Sequence, residues 1–133
     1  MKKLRRKHVG RAVCTILQQL AISIPVNVVY SWGITNKVAT QIEVMTDNVV
    51  QRMAALKMNV HGFNYQGKIY VALDEKRNNC RLFVEKNGKL KEERSGVEFK
   101  ELGNALDAII ETGGLSQQEH LQRLKEYVKQ FAV

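Results

Sequence analysis

Acid is missing from the first third of this chain: no Asp or Glu precedes Glu43. Proline is nearly missing too, with Pro25 alone among 133 residues, while 44% of the residues are apolar. That balance excludes wholesale disorder and is enough for one packed domain. Cysteine is down to Cys14 and Cys80, too few for a disulfide framework, with a single bridge between them left open. A reduced, cytoplasmic setting fits them best. His8, His61 and His120 stand far apart and share no ligand spacing with either cysteine, so neither a metal nor a cofactor is expected. Gly33, Gly62, Gly67, Gly88 and Gly96 are single glycines at turns, which leaves no phosphate loop or dinucleotide fingerprint. No serine occupies a nucleophile elbow.

The missing acid leaves a concentration of positive charge. Lys2, Lys3, Arg5, Arg6, Lys7 and Arg11 supply six of the 21 Lys and Arg, whereas all 13 acids lie further on. Most of the net charge of +8 therefore sits at one end. The chain reads as a basic arm, residues 1–11, on a single nearly neutral domain, residues 12–133. Such an arm suits a polyanion, either nucleic acid or an anionic membrane surface. The uncharged stretch from Ala12 to Ile34 invites a membrane-span reading, but Gln18, Gln19, Pro25 and Asn27 interrupt it, and no cleavage site follows a compact apolar core.

What is present points to helices and antiparallel strands. Val9, Val13, Ile16, Leu17 and Leu20 mark one face of a helix from about Lys7 to Ile22, stopped by Pro25. Basic residues at its start oppose the helix dipole, so the arm is expected to fray or extend. Apolar or β-branched residues then fall on even positions from Ile24 to Trp32 and from Val38 to Thr46; a two-stranded hairpin is expected, in preference to a helix over Val38–Leu56. Thr46 or Asp47 is read as the cap of a short middle helix over Asn48–Met58, and Asn59–Tyr65 as a weak strand. Lys68–Glu93 carries the clearest pattern. Ile69, Val71 and Leu73 alternate with Tyr70 and Ala72, then Cys80, Leu82 and Val84 with Arg81, Phe83 and Glu85, and Asn87-Gly88 is a strong hairpin signal. A meander of three or four strands follows. Phe99, Leu102, Leu106, Ile109 and Ile110 space a helix ended by Gly113-Gly114. Ser116 and Glu119 then form a capping box for a last helix with the stripe Leu121, Leu124, Val128 and Phe131. The expected class is α+β: an antiparallel sheet (hairpin plus meander) covered by an N-terminal helix, a short middle helix and two C-terminal helices. This element order resembles that of profilin-like and roadblock-type domains, which are mainly binding or scaffolding modules; the resemblance rests on element order alone.

Three functional expectations follow. The first is a non-enzymatic accessory protein that binds nucleic acid through Lys2, Lys3, Arg5, Arg6, Lys7 and Arg11 with little sequence preference. Tyr70 and Phe83, beside Lys68 and Arg81, would stack bases if their sheet face were open; Tyr30 and Trp32 are expected in the core. The second is a protein-interaction or oligomerising scaffold, a homodimer included, using a sheet edge or the last helix with the arm incidental. The third is a metal-dependent nuclease built on Asp74-Glu75-Lys76 with Glu43 or Asp47; a solvated turn accounts for the same residues.

Overall fold

The computed structural model describes residues 3–112 together with Gln122, Lys125 and Glu126. Helices α1 (Arg6–Ser23) and α2 (Val26–Ser31) lead into strands β1 (Thr35–Thr46), β2 (Val49–His61), β3 (Gln66–Asp74), β4 (Asn79–Lys86) and β5 (Lys89–Val97). A 3-10 turn at Phe99–Glu101, α3 (Leu102–Asp107) and a π-helical turn at Ala108–Thr112 complete the described part. The five strands form one antiparallel sheet in sequence order. The expected α+β class is what the chain adopts, but its parts differ. Ile24–Trp32 is not a strand: Pro25 precedes the first turn of α2, where its missing N–H costs nothing. Val26 and Tyr30, one helical turn apart, face solvent while Trp32 is fully buried. Asn48–Met58 is not a helix but most of β2. With two helices followed by five consecutive strands, the element order no longer matches the order that suggested profilin-like and roadblock-type domains. The last expected helix and its apolar stripe lie outside the described residues, apart from those three.

The turns explain the sheet. Asp47 and Asn48 both have positive φ, at 51° and 63°, as do Asn87 and Gly88, at 54° and 77°. Each pair makes the two-residue turn whose twist suits a hairpin, so β1 folds directly back onto β2, with Ile42 opposite Met53 and Glu43 opposite Arg52. At the far end of β2 the main chain touches α3's continuation: the Asn64 and Tyr65 amides both donate to the Ile110 carbonyl, at 2.8 and 3.0 Å. Gly62 makes this approach possible, since a Cβ there would lie 2.3 Å from that same oxygen.

Two cores lie on opposite faces of the sheet. On one face α1 presents Val9, Ala12, Val13, Ile16 and Leu20 to Leu56, Met58, Ile69, Val71, Leu82 and Val84. Trp32 seals the edge of this core, donating from Nε1 to Asp107 at 2.9 Å. On the other face Ile42, Val44, Met53, Ala55, Tyr70, Ala72 and Phe83 form a second cluster, and no described helix covers it. The sheet encloses it by curling. β1 and β4 are three strand spacings apart, about 14 Å in a flat sheet, yet Arg81 Nη1 on β4 donates to Thr46 Oγ1 on β1 at 2.7 Å. Arg81 lies over the Phe83 ring and Lys57 over Tyr70, so the stems of long cations roof the cluster.

Candidate nucleic-acid interface

The chain's missing acid has a structural counterpart at the start of α1. Arg5 is the cap residue, in extended conformation, and offers no side-chain cap; the first turn contains no acid. Lys7 and Arg11 stand one turn apart on the outer face, an arrangement of like charges that costs a few tenths of a kcal/mol. Local preference therefore works against a helix here, and tertiary contacts hold it. The Gln41 side chain on β1 grips the Leu4 main chain in both directions, accepting from its N–H at 2.8 Å and donating to its carbonyl at 3.1 Å. His8 pairs with Glu75. Val9 and Ala12, buried against the sheet, fix the face. The backbone shows no break at residue 11: Arg6, Lys7 and Arg11 are helical, Lys3 and Arg5 lead into them, and Lys2 lies outside the described residues.

Lys3, Arg5, Arg6, Lys7 and Arg11 are all exposed, and among the described residues no carboxylate pairs with any of them. Elsewhere pairing is common: Arg52 with Glu43 at 2.8 Å, Lys68 with Glu85 at 3.5 Å, Arg81 with Glu92, and Lys100 with Glu98 at 3.6 Å. A groove of about 610 Å³ runs beside the cationic start of α1, with Lys3, Arg6, Thr40, Gln41 and Arg52 on its walls. A second, of about 510 Å³, lies where His8, Arg52, Leu73 and Glu75 meet. Sequence reading misses Arg52 and Gln41, because their places follow from β1 pairing with β2, and the sequence of Asn48–Met58 predicts a helix.

The other sequence candidates fall elsewhere. Tyr70 and Phe83 are buried in the second core and offer no stacking platform. Burial, chiefly, raises the pKa of Tyr70, with Glu85 adding to it. Tyr30, expected in the core, is 84% exposed, at the opposite end of α1 from the cations. The carboxylates of the nuclease reading do not converge. Asp74 is buried and accepts from the Arg77 amide in its own turn, Glu75 is on His8, Glu43 is on Arg52, and Asp47 is in the hairpin turn. Among the described residues no group of three or more His, Cys, Asp or Glu could hold a metal ion. Both cysteines are free; Cys80 is fully buried, and desolvation pushes its thiol up to about 12. Among the described residues no helix is long and apolar enough to cross a membrane. Comparison with protein-family models, with curated proteins and with solved structures found no match.

Proposed function

We propose that this chain is a small, non-enzymatic, cytoplasmic nucleic-acid-binding protein whose phosphate-contacting surface is the start of α1. One observation carries the reading: five exposed cations, Lys3, Arg5, Arg6, Lys7 and Arg11, lie together without a carboxylate partner while many of the body's cations are paired. Cations left unpaired are those that can release counterions on meeting phosphate. Nucleic acid is favoured over a membrane because an interfacial helix needs apolar residues beside its cations. Here the apolar face of α1 is spent on the sheet, and its exposed apolar residues, the partly exposed Leu17 and Ile22, are about 15 and about 22 Å of helix away from Lys7. Long side chains meeting phosphates read charge and not base edges, so sequence preference is weak.

The test is a binding titration against duplex DNA, single-stranded DNA and RNA at several salt concentrations. Deleting residues 2–11 is too blunt, since it also removes the Leu4 clamp and buried Val9. Changing Lys2, Lys3, Arg5, Arg6, Lys7 and Arg11 to Gln leaves those intact. With about 0.9 released counterions per contact, six contacts give a log–log salt slope no steeper than roughly −5 on duplex DNA. The six-Gln variant is expected to lose most of that slope while keeping its fold. Absence of binding at low salt, or binding unchanged in the variant, refutes the reading. A scaffold role has one observation in its favour: Met45, Val49 and Val50 are exposed at the tip of the β1–β2 hairpin, on an edge of the sheet. Sedimentation showing a dimer that Val49→Lys dissolves would put that role first.

A further inference from the structure

The groove beside α1 carries more than a diffuse positive field. We infer that it is a defined phosphodiester site, in which Arg52 is the fixed ligand and Lys3 and Arg6 close over the anion. This rests on the nucleic-acid reading above and names the place where one backbone phosphate is held. Three cations from two elements converge there, Lys3 and Arg6 from the lead-in and start of α1 and Arg52 from β2, with Thr40 and Gln41 beside them; no carboxylate lines the groove. Lys3 and Arg6 have no acid partner among the described residues.

Arg52 differs from the other cations in two ways. It stands on a strand whose next residues, Met53–Leu56, are buried, so its stem is positioned by the sheet and not by a chain terminus. It is also incompletely satisfied: Nη2 donates to Glu43 and Nε is buried with no acceptor, so an anion meets the guanidinium at its Nη end. A guanidinium carries five donors in a rigid fork that matches two oxygens of one phosphate. Glu43, more than half exposed, holds part of that fork at little cost to give up, since exposed pairs of this kind contribute about 0–1 kcal/mol. Glu43 therefore competes with the phosphate for Arg52. The distinctive consequence is that removing an acid next to the site, by Glu43→Gln, strengthens binding.

The experiment uses the full chain, with side-chain N–H NMR of the arginines, first with inorganic phosphate and then with a single-stranded oligonucleotide, and affinity titrations of variants. Phosphate is expected to shift the Arg52 Nε–H signal, and Arg52→Lys, which keeps the charge but loses the fork, to weaken oligonucleotide binding about 3- to 10-fold. Glu43→Gln is expected to strengthen it about 2- to 3-fold. Should Arg52→Lys lose its fold, the Glu43→Gln result and the phosphate shift in the parent chain decide the matter. An Arg52 signal unmoved by phosphate, or Arg52→Lys binding like the parent while the six-Gln variant loses binding, overturns the groove site and leaves the broader reading standing. Arg52-dependent binding to vesicles of anionic phospholipid, with none to oligonucleotides, assigns the phosphate to a lipid headgroup and overturns the nucleic-acid assignment. A phosphate shift at Arg52 in a protein that binds no nucleic acid at any salt refutes the broader reading alone.

Discussion

The Arg81–Glu92 pair predicts an asymmetry that simple counting of contacts would miss. Arg81 is 7% exposed. Its guanidinium donates to both Glu92 oxygens and to Thr46, lies 5.5 Å from the Phe83 ring centre, and roofs the second core. The Glu92 bond, more than any other cause, raises the Arg81 pKa. The two partners are not equally buried, because the Glu92 side chain is a third exposed. Removing Glu92 strands a charge that water reaches only through the space Glu92 leaves. Breaking a fully buried pair from one side costs about 3–5 kcal/mol; water at the half-open Glu92 site reduces this to about 2–3 kcal/mol for Glu92→Ala. Removing Arg81 strands nothing, since Glu92 can be hydrated where it stands. Arg81→Met also keeps an unbranched stem over Phe83, so its cost is expected to stay within about 1 kcal/mol, the loss of the Thr46 bond included. The double variant is expected near Arg81→Met, not near the sum. Trp32, the one tryptophan and fully buried, reports urea unfolding by fluorescence. If Arg81→Met costs more than Glu92→Ala, the pair is a net attraction and the argument from unequal burial is wrong.

Three further outcomes follow from single sites. In native protein at neutral pH a thiol reagent is expected to modify Cys14 alone, and in denaturant both cysteines; modification of both without denaturant would place Cys80 at the surface. The buried Cys80 thiol keeps its proton up to about 12 whereas an unfolded one loses it near 9.0, so stability is expected to fall as pH rises between those values; a flat urea midpoint across that window in the parent, matched by Cys80→Ala, refutes it. Gly62→Ala is expected to cost about 1–3 kcal/mol or more because the methyl group meets Ile110, while Gly88→Ala, with nothing within 4 Å, pays only for its positive φ, about 1–2 kcal/mol; equal urea midpoints for Gly62→Ala and the parent would sink the packing account.

The legible parts of the fold are those where one local rule acts alone. Strands β3 and β4 alternate, and Asn87-Gly88 joins β4 to β5 by a turn that few other pairs make as readily. Strand β2 misleads for a reason other than burial, since β3 and β4 are buried on both faces too: its core stretch Met53-Ala54-Ala55-Leu56 has no β-branched or aromatic residue. These four residues are all core, two to each cluster, and a continuous apolar run of that composition fits a helix as well. Asp47-Asn48 adds to the confusion, because both residues cap helices as readily as they accept positive φ. Ile24–Trp32 failed in the opposite sense: nine residues are too few for even spacing to exclude a helix, and Pro25 marks its start.

The same strand decides how much of the site could be read. The six cations needed only their letters, but a cluster of charge is not yet a site. Gln41, which clamps Leu4, and Arg52, which underlies the groove, acquire their roles only when β1 and β2 pair with Glu43 opposite Arg52. Once that register is set, burial on both faces of β2 gives the groove its rigid floor: Met53 and Ala54, on opposite faces, pin the strand immediately beside Arg52. A lysine-rich terminus would bind phosphate wherever it happened to reach. Pinned by Gln41, His8 and Val9 over a strand that cannot shift without exposing both cores, this one holds its cations at a fixed place.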